Sequence, residues 1–92
     1  MNETTPKYYR DFLERAHNDS SSHKAEILAS RLCGCFYCIQ TFSPTEIEEW
    51  IVENKAKGET AICPKCGIDS VISSKYPIED RQFLEEMNNL WF

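Results

Sequence analysis

Two pairs of cysteines, each pair separated by two residues, constrain this 92-residue chain more than any other feature. They are Cys35 with Cys38 and Cys63 with Cys66, and Gly67 follows the second pair. A Cys-x-x-Cys segment can form a tight turn, called a knuckle, whose backbone N–H groups point at the sulfurs and favour the thiolate form. Two knuckles together supply the four thiolates of a tetrahedral structural Zn²⁺ site. We therefore predict one structural metal ion, held by these four cysteines.

Other interpretations of these cysteines have weaker support. A rubredoxin-like iron centre uses similar turns, so the spacing leaves iron open, and zinc is favoured because it is the commoner metal. A thioredoxin-like dithiol belongs at a strand-to-helix junction within a βαβ unit, which this sequence lacks. Cysteines that merely fill a core would not recur as two spaced pairs. The fifth thiol, Cys33, is predicted to be buried beside the site rather than to bind the metal, because Cys35 and Cys38 have the better spacing.

The composition is that of a small folded domain. Apolar residues make up 41% of the chain and charged residues 27%, which is typical of globular proteins. The sequence has neither an apolar run of about 18 residues nor the basic-then-apolar start of a signal peptide. These features, with an odd number of cysteines, predict a cytoplasmic protein that makes no membrane contact. A metal would add stability that a core of this size supplies only modestly.

The net charge disfavours nucleic acid as a partner. It is −5, and four thiolates with one Zn²⁺ add −4 and +2, so the metal-bound chain would carry −7. Non-specific binding to nucleic acid depends on lysine and arginine side chains that neutralise phosphates. Near the cysteines only Arg31, Lys65 and Lys75, with the ring of Tyr37, form a candidate basic tip.

Periodic apolar residues predict helices on both sides of the cysteine region. The first spans residues 6–17 and the second residues 22–31, with the polar segment 18–22 between them. Another helix begins at about Glu79. Its apolar face comprises Phe83, Leu84, Met87 and Leu90 or Trp91.

A central helix is predicted over residues 44–57, between the two cysteine pairs. Residues 43–46 form a capping-box sequence with proline at the first helical position. Lys55 and Lys57 suit the negative end of the helix dipole, and Gly58 suits the position after the last turn. The predicted apolar stripe comprises Ile47, Trp50 and Ile51.

Short strands are predicted on both sides of each knuckle. They span about 31–35 and 38–42 around the first pair, and residues 60–72 form a strand, a knuckle and a strand in which Gly67 takes a positive φ. The predicted fold class is α+β: a zinc-ribbon-like domain with two knuckle hairpins, a connecting helix and flanking N- and C-terminal helices. We expect a single domain over residues 1–92, with a helical segment 1–30, a zinc-ribbon-like core 31–75 and a C-terminal helix 76–92.

The chain resembles a family of small bacterial cytoplasmic proteins with paired zinc knuckles and no established activity. The resemblance covers residues 17–92 and rests on the segments 23–30, 33–38, 42–50, 60–72, 76–78 and 83–92, including CGCFYC and CPKCGIDSVI. It implies a bacterial cytosolic setting and two zinc knuckles. It also makes His23, Glu26 and Asp69 features of the family, with no physical role that the sequence supplies.

Three classes of function fit these observations, and a non-enzymatic protein-interaction module fits them best. Its support is the acidic net charge and a ligand set with no open metal position. A transcription-linked, nucleic-acid-binding zinc ribbon is the alternative, and it rests on analogy of fold. A zinc hydrolase would need three protein ligands, a bound water and a general base, with His23, Glu26 and Asp69 as the candidates. We expect His17 and His23 to lie at the surface beside the polar segment.

Overall fold

In the computed structural model of this chain, which describes residues 6–20, 23–54 and 58–92, helices combine with short antiparallel strands. The helices are α1 (Arg10–Asn18), α2 (Lys24–Leu28) and α3 (Arg81–Trp91). The strands are β1 (Cys33–Cys35), β2 (Gln40–Phe42), β3 (Trp50–Asn54), β4 (Gly58–Ala61) and β5 (Val71–Ile72). The mixed helix-and-sheet class predicted from the sequence is confirmed.

The described strands form two separate sheets. In the first, β1 lies between β2 and β5 and is antiparallel to both, with Gly34 opposite Thr41 on one side and Ile72 on the other. In the second, β3 and β4 form an antiparallel hairpin in which Ile51 lies opposite Thr60. The predicted strands around the first knuckle are therefore confirmed as β1 and β2.

The predicted helix over residues 44–57 is wrong. The capping box is present: the Ser43 side chain accepts a hydrogen bond from the backbone of the following turn, and Glu46 Oε2 accepts one from the backbone N–H of Ser43. However, the turn that it starts is a 3₁₀ turn that ends at Glu46. The backbone is extended at Ile47 and continues into β3. The run Trp50-Ile51-Val52 is aromatic and β-branched, which suits a pleated strand once β4 is available as a partner. Lys55 and Lys57 lie outside the described residues.

The second knuckle is not a hairpin, which also differs from the prediction. Its flanking strands pair with different partners, β4 with β3 and β5 with β1. The segment between them, residues 62–70, therefore crosses from one sheet to the other. The second cysteine pair lies in this crossing, so it is placed where the two sheets meet.

Strand β1 divides the buried side chains into two clusters. Cys33 and Cys35 belong to a cluster with Val71 and Ala61, which joins the two sheets. Gly34 points the other way, where Ile78 and Leu84 approach its backbone. This alternation follows from the period of two along a strand. The second cluster packs α1 and α3 against the first sheet and comprises Leu13, Ala16, Phe36, Ile72, Tyr76, Ile78, Phe83, Leu84 and Met87.

The last helix is confirmed, with Phe83, Leu84 and Met87 fully buried on one face. Asp80 is its N-cap and accepts a hydrogen bond from the backbone N–H of Gln82. The helix also holds the segment before α1, because Glu86 accepts hydrogen bonds from the backbone N–H groups of residues 7 and 8. Among the described residues, no helix is both long and apolar enough to cross a membrane.

Candidate metal centre

The two knuckles have the same backbone geometry. In the first, the N–H of Ile39 donates to the carbonyl of Cys35, and in the second the N–H of Gly67 donates to the carbonyl of Cys63, both at 2.9 Å. Ile39 and Gly67 each follow the second cysteine of their pair and have φ of 61° and 82°. The positive φ predicted at Gly67 is confirmed. At Ile39 a β-branched residue occupies the same conformation, which is unfavourable for it.

The structure brings the sulfurs of Cys35, Cys38, Cys63 and Cys66 together, all within 4.8 Å of one another. Cys35 Sγ lies 3.7 Å from Cys66 Sγ, and Cys38 Sγ lies 3.7 Å from Cys63 Sγ. A tetrahedron with metal–sulfur distances of about 2.3 Å has sulfur–sulfur edges of about 3.8 Å, so the spacing suits one metal ion. All five thiols of the chain are free of disulfide bonds. The four-cysteine group can therefore bind a metal.

Backbone and side-chain donors point at the inner sulfurs. The N–H of Tyr37 donates to Cys35 Sγ at 3.4 Å, and the N–H of Lys65 donates to Cys63 Sγ at 3.3 Å. Ser70 Oγ lies 3.0 Å from Cys35 Sγ, in a buried contact from the end of the crossing segment. Donors in these positions stabilise thiolate charge, which metal binding requires.

The thiols of the centre differ in how readily they ionise. Burial opposes ionisation of Cys35, but hydrogen bonds from Ser70 and from the backbone N–H groups of Cys38 and Tyr37 outweigh it and lower its pKa. Burial, followed by the charge of Cys35, raises the pKa of Cys38 to about 11. Burial also raises the pKa of Cys66, and again the Cys35 charge adds to the effect. Cys35 is therefore the thiol whose surroundings already favour the thiolate.

Cys33 lies outside the four-cysteine group. It is fully buried, in the cluster that joins the two sheets, and burial raises its pKa to about 11. Its side chain is on the same face of β1 as Cys35, two residues further from the knuckle. In this position Cys33 packs behind the centre as a small apolar residue.

The prediction that both histidines lie at the surface is wrong. His23 is only 6% exposed, and its ring Nε2 lies 2.9 Å from the carbonyl of Val71 in β5. Its backbone N–H donates to the carbonyl of Glu59 in β4. His17 is half-buried and stacks on Trp91, with ring centroids 4.3 Å apart. Burial lowers the pKa of both rings.

The structure gives His23 and Glu26 a physical role that the sequence did not reveal. His23 links β4 to β5, so it connects the two sheets on the side of α2. Glu26 Oε2 accepts a hydrogen bond of 2.6 Å from Ser73 Oγ, which ties α2 to the residues after β5. Asp69 is exposed beside the second knuckle. Its charge partly offsets the lowering of the His17 pKa by burial. None of the three belongs to the group of potential metal ligands in the described residues.

The predicted basic tip is largely neutralised by carboxylates. Lys65 Nζ lies 3.4 Å from Glu46, and Lys75 Nζ lies 3.4 Å from Asp19. Tyr37 is 45% exposed, and its ring packs edge-on against Phe92.

Comparison with protein-family models, curated proteins and solved structures found no match to this chain.

Proposed function

We propose that this chain is a small, non-enzymatic, zinc-stabilised module whose surface binds another protein. The observation that carries the proposal is the convergence of four sulfurs from two knuckles within 4.8 Å. Four thiolates fill the tetrahedral coordination of Zn²⁺ and leave no position for water or substrate. Zn²⁺ bound here would be structural, and its binding free energy would contribute to folding.

The placement of the knuckles supports a structural role for the metal. The first knuckle belongs to the sheet of β1, and the second lies in the segment that crosses to β4. An ion shared by Cys35, Cys38, Cys63 and Cys66 would join the two sheets through four bonds. The sheets are also connected by His23, which hydrogen-bonds to both β4 and β5.

The charge distribution favours a protein partner over nucleic acid. Of the three basic residues of the predicted tip, Lys65 and Lys75 already form ion pairs with carboxylates. Phosphate binding would have to break these pairs in a chain with a net charge of −5. A zinc-ribbon function in transcription therefore has less support. We also propose the bacterial cytosolic setting that the family resemblance implies.

Elemental analysis tests the identity of the metal. We expect nearly one zinc per chain in protein purified without added metal, and nearly stoichiometric iron would contradict the choice of zinc. Cys35→Ser should lose the metal because it removes a ligand. Cys33→Ser is the matched control, since it removes a buried sulfur on the same strand face, and it should keep the metal. Loss of zinc from the control would show that the ligand set is wrong.

Affinity capture from an extract of the source cells tests the function. The tagged, zinc-loaded chain should retain a stoichiometric protein after nuclease treatment, and Cys35→Ser should not. Binding that disappears on nuclease treatment and falls steeply with salt would support the nucleic-acid alternative instead. Turnover of a substrate that needs the metal would contradict the non-enzymatic assignment.

A further inference from the structure

The outer edge of β3 has backbone groups that no other described strand uses. The N–H of Ile62 donates to the carbonyl of Glu49, so these two residues form a hydrogen-bonded pair of the hairpin. Hydrogen-bonded pairs alternate along an antiparallel ladder, which makes Ile51 and Thr60 the next such pair. The N–H and C=O groups of Trp50 and Val52 must then point away from β4.

The corresponding edge of β4 is already occupied. By the same alternation the carbonyl of Glu59 points outward, and it accepts a hydrogen bond from the backbone N–H of His23, at the start of α2. This contact agrees with the alternation, since the carbonyl of Glu59 would otherwise face β3. It leaves β3 as the edge of the hairpin that α2 does not cover, and an uncovered edge is a template for another strand.

The side chains of this edge are apolar and exposed. Val52 is 58% exposed and Ile51 is 38% exposed, although both lie in the middle of the strand. Trp50 is half-buried, with Lys24 Nζ 5.0 Å above its ring, so it anchors the strand to the domain. An incoming strand would cover Val52 on one face and Ile51 on the other.

Two exposed carboxylates, those of Glu48 and Glu49, directly precede β3. Neither forms an ion pair with any of the described residues. They line a cleft of about 290 Å³ together with Pro64 and Lys65 of the second knuckle. The charge of Lys65 is already matched by Glu46. The acidic side of this cleft therefore has no described cation to balance it.

We propose that the outer edge of β3 binds an extended peptide segment of a partner protein as an added strand, with a lysine or arginine of that segment at Glu48 and Glu49. Backbone hydrogen bonds to Trp50 and Val52 would supply affinity, and the exposed carboxylates of Glu48 and Glu49 would select basic sequences. This inference rests on the proposed interaction function and specifies the class of partner.

A second copy of this chain does not fit the same edge. Only a parallel pairing of two β3 strands would bring Glu48 and Glu49 of both copies together, but two chains that each have a net charge of −5 repel one another in either orientation. Like charges across a strand pair are destabilising. The net charge of the chain therefore favours a basic partner over self-association.

Panning a displayed library of random peptides against the zinc-loaded chain tests the proposal. We expect enriched peptides with alternating apolar residues and at least one lysine or arginine. When a synthetic copy of an enriched peptide binds, the amide hydrogens of Trp50 and Val52 should gain protection from exchange. Combined Glu48→Gln and Glu49→Gln should weaken binding about tenfold at low salt and less at high salt.

Val52→Pro and Val52→Thr form a matched pair of variants. Proline removes the outward N–H without removing a ladder hydrogen bond, and it should weaken binding at least about tenfold. Threonine keeps the N–H and should bind like the parent chain. Equal affinities of the two variants, protection confined to other elements, or no enriched peptide would each overturn the β3 proposal. If capture from the extract still returned a zinc-dependent partner, the interaction function would stand without it.

Discussion

An alanine Cβ at Gly34 would lie 2.9 Å from Cβ and 3.1 Å from Cγ2 of Ile78. Gly34 is buried and lies between Cys33 and Cys35 on β1, and its lack of a side chain allows Ile78 and Leu84 to pack against the strand. The absence of a side chain is needed here for space. The packing of α3 and the residues before it on the first sheet depends on this one position.

Gly34→Ala should therefore lower the free energy of unfolding by about 1–3 kcal/mol, as overpacking typically does. Chemical denaturation of the zinc-loaded protein measures this change. Gly67→Ala is the comparison, because its Cβ would meet no atom within 4 Å and its cost would come only from φ of +82°. A Gly34 variant as stable as the parent would show that Ile78 moves aside freely.

His23 should make stability depend on pH. Burial lowers the pKa of its ring below the ordinary 6.5, even though Asp19 and Glu26 act in the opposite direction. The folded state therefore favours the neutral ring. Its contribution is complete above pH 6.5 and is lost as the pH falls below that value, because the unfolded chain then binds the proton more readily.

His23→Gln tests this expectation, since the amide of glutamine can still donate to the carbonyl of Val71. Between about pH 7.5 and 5.5, the parent should lose more free energy of unfolding than the variant, measured by denaturation with excess zinc. His17→Gln shows how much of the slope belongs to the half-buried ring of His17, whose pKa is also lowered by burial. Parallel pH profiles for parent and His23→Gln would contradict the assignment.

At the scale of elements, local signals predicted local structure well. The capping box at residues 43–46, the strands beside the first knuckle and the positive φ of Gly67 are all present. Each of these depends on neighbouring residues only. The four-cysteine group could also be predicted, because a fixed spacing within each pair determines how each knuckle presents its sulfurs.

What the sequence could not show depends on contacts between distant segments. Ile47, Trp50 and Ile51 have helical spacing, but pairing with β4 makes the strand the better state for them. Ile39 is a different case: its positive φ follows from the knuckle directly before it, but its β-branched side chain gives no sign of that conformation, as a glycine would. The burial of His23 depends on β4 and β5, which follow it by many residues.

The packing of α3 can be tested at Phe83. This side chain is fully buried and contacts the rings of Tyr8, Phe12 and Tyr76. Phe83→Ala should lower the free energy of unfolding by about 3–5 kcal/mol, because it leaves a cavity among aromatic rings. Phe92→Ala is the control: its ring is 59% exposed, and the same truncation should cost much less. Equal costs at the two positions would mean that α3 does not pack as described.

At the scale of the whole molecule, the two buried clusters share the strands of the first sheet. Val71 of β5 belongs to the cluster that joins the sheets, and the next residue, Ile72, belongs to the cluster beneath α1 and α3. On β1, Cys35 likewise belongs to the cluster that joins the sheets, whereas Gly34 faces Ile78 and Leu84 of the other cluster. A change that displaces β1 or β5 would therefore disturb both clusters together.

Removal of the metal should unfold both halves together, and the two tryptophans can report on them separately. Trp50 packs against the cluster that contains Cys35 and Cys63, and Trp91 packs against the cluster of α3. The binding free energy of structural zinc, about 10–16 kcal/mol in peptides, is comparable to the whole stability of a small domain. In Trp91→Phe and Trp50→Phe, the remaining fluorescence should change over the same range of chelator concentration. If the Trp91 signal stayed native after Trp50 had changed, the helical half would be stable without the metal, and zinc would hold only the hairpin side.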